Sequence, residues 1–93
     1  MSEELRVYVA DLAAYNNGYL HGFWIDATLE LGEIQDQVNE MLKATPLDEK
    51  AEEYAIHDYE GFGAYKVGEY EGLESVHEVA CFLEEHARLQ AMY

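Results

Sequence analysis

Basic residues are what this chain has least of: five Lys and Arg stand against twenty Asp and Glu in 93 residues, a formal charge of -15 at pH 7. So large an excess of one sign exceeds what the solubility of a small domain requires, and its self-repulsion opposes the compact state. It argues against nucleic acid or a phospholipid surface as a direct partner, because the phosphates of both would be repelled. The natural partner is a basic protein surface.

Cysteine is almost as scarce. Cys81 stands alone, which excludes an internal disulfide and suits a reducing compartment. No apolar run approaches the roughly twenty residues that cross a bilayer. The first residues, Met1-Ser2-Glu3-Glu4, are acidic where a secretory leader is basic. A cytoplasmic protein is expected.

Catalytic signatures are missing as well. His21, His57, His77 and His86 are possible bases, but no Ser or Cys carries a nucleophile signature, and Cys81 sits in the apolar helical context of an inert thiol. His77-Glu78-x-x-Cys81 departs from the two-histidine zinc motif, and the ordered Asp-x-Asp loop of an EF-hand is absent. The glycines after Asp58 lack the order of a phosphate-binding loop. An enzyme is the weakest class, and neither metal nor cofactor is expected.

What the chain does have is material for a core. Acidic chains poor in aromatics stay unfolded because they bury too little apolar surface to offset chain entropy. Here 49% of residues are hydrophobic and 13% aromatic, enough for one small domain. Alternation predicts strands at Leu5–Asp11 and Tyr19–Asp26, paired antiparallel around the turn Tyr15-Asn16-Asn17-Gly18. Leu31, Ile34, Val38, Met41 and Leu42 recur at helical spacing. Thr45-Pro46 ends that helix and starts a possible short helical turn, with Asp48 and Glu49 near its positive end.

Tyr54–Asp58 predicts a third strand, followed by a loop rich in Gly and Tyr as far as Gly72. Ser75 and Glu78 form a capping box that should open a long last helix, with Leu73, Val76, Val79, Ala80, Leu83 and Ala87 as its apolar stripe. The expected fold class is α+β: a short antiparallel sheet of about three strands with helices packed on one side. Trp24 is expected in the core. Asp58, Tyr59, Gly61 and Phe62 admit structural roles, as loop cap, core rings and a positive-φ corner.

Five stretches together carry a resemblance: Val7-Tyr8-Val9-Ala10-Asp11-Leu12, Tyr15-Asn16-Asn17-Gly18, Gly22-Phe23-Trp24-Ile25-Asp26, Ile56-His57-Asp58-Tyr59-Glu60-Gly61-Phe62 and Gly68-Glu69-Tyr70. In order and rough spacing the chain resembles the N-terminal region of the ArdA family of antirestriction proteins. The resemblance implies a protein that imitates the shape and charge of duplex DNA and occupies the DNA groove of type I restriction-modification enzymes, on their methyltransferase and specificity subunits. It also implies one ArdA-like N-terminal domain over residues 1–93, with 74–93 a helix belonging to the start of a following domain. Known members are longer, elongated dimers. A short chain would inhibit weakly, or recover length by dimerising through a helix face such as Val76 to Leu89.

The charge pattern fits that picture independently. Duplex DNA presents one negative charge per about 1.7 Å of axis, and proteins bind it through Lys and Arg aimed at phosphates. Carboxylates three or four residues apart on a helix lie about 5–6 Å from one another. Glu33, Asp36 and Glu40 form one such row, and Asp48, Glu49, Glu52 and Glu53 a denser cluster. Glu60, Glu69, Glu71, Glu74 and Glu78 continue the trail into the last helix. Any one of these can be read as an ordinary solvated charge; the collective excess cannot, because Lys is nearly absent from among them. The alternative function is an acidic adaptor that binds a basic protein without imitating DNA.

Overall fold

The computed structural model describes residues 5–45, 53–63 and 65–91. Strand β1 (Arg6–Asp11) runs down the middle of a three-stranded sheet, flanked by β2 (Gly22–Asp26) and β3 (Tyr54–Glu60), both antiparallel to it. Three helices complete the described chain: α1 (Leu12–Asn16), α2 (Leu31–Lys43) and α3 (Leu73–Ala91). The α+β class expected from the pattern is the one observed.

The residues between β1 and β2 form more than a turn. Asp11 is fully buried at the end of β1, and its Oδ1 accepts a hydrogen bond from the Ala14 N–H at 3.0 Å, which caps the short helix α1. Its Oδ2 has no hydrogen-bond partner among the described residues. The chain then reverses through Gly18, at φ +86°, and reaches β2 at Gly22. A side chain at Gly18 would be strained there, since only glycine enters that region freely.

Gly22 is needed for a different reason. A Cβ at this position would lie 2.5 Å from the Val9 carbonyl oxygen and 2.9 Å from Cζ of Tyr8. The strand therefore tolerates no side chain where the Tyr8 ring crosses it.

Alternation along β1 sends Val7 and Val9 to one face, where they meet Ile25 of β2 and Ile56 of β3. Ile34, Val38, Met41 and Leu42 of α2, with Leu73, Val76 and Ala80 of α3, close over that face. A fully buried Val, Ile or Met contributes about 2 kcal/mol relative to exposure, so this one-sided layer is the main source of stability. Truncating Met41 to Ala would cost about 3 kcal/mol through the cavity it leaves.

Two histidines tie the helices to the sheet layer. His21 Nε2 donates to the Met41 carbonyl at 2.6 Å, near the end of α2, and His77 Nδ1 donates to the Ala27 carbonyl at 3.0 Å.

Four local expectations need correction. Trp24 is not in the core: it is 38% exposed, on the sheet face opposite α2 and α3. Asp58 is a residue of β3 rather than a loop cap, because the strand continues to Glu60. The capping box at Ser75 and Glu78 does not form. Helix α3 begins two residues earlier, at Leu73, where the Gly72 carbonyl accepts the Val76 N–H at 3.0 Å and the Ser75 hydroxyl instead donates to Glu71 at 3.0 Å. Strand β2 starts at Gly22, so Tyr19 to His21 remain outside it. Gly61 and Phe62 keep their expected roles, at φ +86° and 2% exposure.

Candidate functional site

The described acidic residues divide into those that face outward and those held by the fold. On α2, Glu33, Asp36 and Glu40 are all exposed, because Ile34, Val38 and Met41 claim the opposite side of the helix for the core. Glu33 also lies in the first turn, where the helix dipole favours a negative charge, and Lys43 in the last turn favours the other end. Glu30, the N-cap residue, is exposed just ahead of them. Among the described residues none of these four carboxylates pairs with a cation. Glu74 and Glu78 on α3 are likewise exposed and unpaired with any described cation.

The carboxylates of β3 and the following loop are engaged. Glu60 Oε2 accepts from Arg6, 2.8 Å to Nε and 2.7 Å to Nη2. Glu69 lies 3.6 Å from His57 Nε2, while its backbone carbonyl accepts the Ile56 N–H at 2.9 Å. His57 is the extra residue of a bulge in the pairing of β1 with β3, and the Tyr15 ring packs against it edge to face, ring centroids 4.6 Å apart.

Glu71 is the most heavily used. Its carboxylate accepts from the Tyr65 hydroxyl at 2.9 Å, the Gly68 N–H at 3.1 Å and the Ser75 hydroxyl at 3.0 Å. Partial burial pushes its carboxyl upward, but the three donors outweigh burial and hold it below the ordinary range. The same contact raises the Tyr65 phenol, first through the hydrogen bond, then through desolvation and the negative charge. This carboxylate knots the loop to the start of α3.

Glu53 lines an open cleft of about 360 Å³ with Leu12, Tyr54 and Tyr70. Asp48, Glu49, Glu52 and the turn proposed after Thr45 lie outside the described residues. Of the expected trail, the described residues show two exposed helical rows, Glu33, Asp36 and Glu40 on α2 and Glu74 and Glu78 on α3, and between them Glu60, Glu69 and Glu71 in contacts within the fold. Exposed carboxylates outside the expected trail are Asp26 and Asp58 on the open face of the sheet, and Glu84 and Glu85, both near Arg88 on α3. Nothing in the helical spacing flags Asp26 or Asp58, since strand register alone places them.

Cys81 is half-buried, 3.7 Å from His77 Nε2, while His77 Nδ1 is engaged by Ala27. Burial pushes its thiol up, with the charge of Glu84 adding to the effect, so the thiolate is scarce at neutral pH. No group of three or more metal-ligating side chains assembles among the described residues. No helix among them is long and apolar enough to cross a membrane.

The chemistry open to such a surface is attraction of cationic side chains. The chain belongs to the ArdA family of antirestriction proteins, whose sequence profile matches residues 7–93. No curated protein sequence matches it significantly.

Proposed function

We propose that the chain blocks type I restriction-modification enzymes by presenting its carboxylates to the groove that otherwise holds DNA. The observation that carries this reading is the row Glu33, Asp36 and Glu40: exposed on one side of α2 and unpaired with any described cation. Carboxylates at this spacing, about 5–6 Å between neighbours, suit Lys and Arg that are set out to meet phosphates. Glu74 and Glu78 extend the surface on α3, and the 54 Å long axis of a molecule only 23 × 21 Å across gives it an elongated outline. The chain acts as a ligand of the enzyme and performs no reaction on it. Asp48, Glu49, Glu52, Glu53, Glu60, Glu69 and Glu71 belong to the same negative field, with Glu71 acting first as a brace.

Competition tests the reading. The methyltransferase assembly, loaded with a labelled duplex, is titrated with the protein at several salt concentrations. Displacement of the duplex is expected, with a dissociation constant that climbs steeply with ionic strength, since screening shortens to about 3 Å at 1 M salt. Binding beside retained DNA would instead establish an acidic adaptor. An affinity flat across salt would overturn electrostatic mimicry.

A further inference from the structure

The open face of the sheet carries a device that the acidic helices do not. Tyr8 and Trp24 are directly opposite one another on β1 and β2, their ring centroids 5.5 Å apart, and the missing side chain of Gly22 makes room for the Tyr8 ring. Strand register surrounds the pair with carboxylates: Asp58 lies across from Tyr8, while Asp26 and Glu60 flank Arg6 from either side. Arg6 is the one cation at these positions. Its guanidinium carbon lies 4.6 Å from the Trp24 ring centroid, and its Nε and Nη2 both reach Oε2 of Glu60.

This is the geometry of guanidinium recognition, with an aromatic face beneath and a carboxylate at the edge. Helices α2 and α3 pack on the other face, leaving Trp24 38% exposed in a position where an apolar ring has no core to fill. The Arg6 side chain is itself 37% exposed, so the contact is open to exchange with a group from outside. Three carboxylates against one cation leave the patch negative even with Arg6 in place.

We propose that this face is a docking site for an arginine side chain of a basic protein partner, which replaces Arg6 on Trp24 and Glu60. The inference rests on the reading above that the partner is a basic protein surface, and adds where an arginine is received and which residues receive it. Arg6 is the built-in competitor: it satisfies Glu60 while the site is empty and swings aside when a partner guanidinium arrives. Lysine is a poorer fit, because an ammonium cannot lie flat on the indole while keeping two nitrogens on the carboxylate.

Trp24 is the sole tryptophan of the chain, so its emission reports on this face alone. The intact protein is titrated at low salt with hexa-arginine and, separately, with hexa-lysine, and binding is followed in parallel by calorimetry. Hexa-arginine is expected to change Trp24 emission saturably, at about a threefold lower midpoint than hexa-lysine, the scale of an exposed cation–π contact. Glu60→Gln should raise the arginine midpoint about threefold, the scale of an exposed charge pair. Arg6→Gln should lower it by removing the competitor, while the double change Glu84→Gln and Glu85→Gln on α3 should move it less than about twofold.

Calorimetric binding with silent Trp24 emission overturns the proposal, as does a lysine midpoint equal to that for arginine, or an Arg6→Gln midpoint that is unchanged or higher. The arginine and lysine comparison needs no variant, so it decides even where a substituted chain does not fold. Inhibition of restriction with a silent Trp24 would sink this site and leave the proposed function standing. A responding Trp24 in a protein that displaces no DNA would do the reverse.

Discussion

The carboxylates of α2 and those of the loop after β3 look alike in sequence and differ in what they do. Glu33, Asp36 and Glu40 meet only solvent and one another among the described charges, whereas Glu60, Glu69 and Glu71 each have an internal partner. The first set makes the compact state less favourable, since like charges at helical spacing repel by a few tenths of a kcal/mol per pair. The second set makes it more favourable. Part of the described acidity is thus taken up in contacts within the fold, while the α2 row stays exposed.

The strongest way to break that contrast is to neutralise the outward set together. Glu33→Gln, Asp36→Asn, Glu40→Gln, Glu74→Gln and Glu78→Gln in one chain should weaken inhibition of a type I enzyme by roughly 50- to 100-fold, five contacts at about 0.5 kcal/mol each. The melting temperature should hold or rise as repulsion is relieved. Titration of restriction activity alongside thermal denaturation measures both. Inhibition undiminished in a folded variant would show that the charge on these helices is not what the enzyme sees.

The inward set should respond in the opposite sense. Glu71→Gln leaves one carbonyl oxygen where two oxygens accepted from Tyr65, Gly68 and Ser75, at a cost of about 1 kcal/mol, or about 4–8 °C in melting temperature for a domain of this size. Inhibition measured below the melting range should change little. A Glu71→Gln chain that melts with the native one would erase the distinction between braced and offered carboxylates.

Acid sharpens the same point. Because the folded Glu71 carboxyl lies below its ordinary value of 4.5, its contribution is complete above that value and is lost as pH falls through the lower folded one. The melting difference between native and Glu71→Gln chains should therefore be full at neutral pH and shrink below pH 4.5. A difference that widens on acidification would contradict the sign.

Periodicity made the three strands, α2 and the body of α3 legible, because each buries one side against a common layer. What it concealed was local. Leu12-Ala13-Ala14 after a capping Asp11 is a helix start, but the Asn16-Asn17-Gly18 turn signal beside it suggested a plain hairpin connection. Trp24 reads as core by its size, and only the pairing register, with Ile25 inward opposite Val7, sends it outward. The outward row on α2 was visible as spacing, whereas the engagement of Glu71 was not. Its donors Tyr65, Gly68 and Ser75 are brought round by a loop that has no period to read.

The finest test is a single outward charge. Glu33 has no described partner to leave stranded, so Glu33→Gln removes one exposed contact and should weaken inhibition by about 0.5 kcal/mol or less, near twofold. It should also leave stability within a few tenths of a kcal/mol, since losing a favourable charge at the start of α2 offsets the repulsion it relieves from Asp36. Many weak contacts of this kind predict graded loss as charges are removed one by one. Complete loss of inhibition from Glu33→Gln alone, with an unchanged circular dichroism spectrum, would mean that the row contains a discrete site and that its neighbours are bystanders.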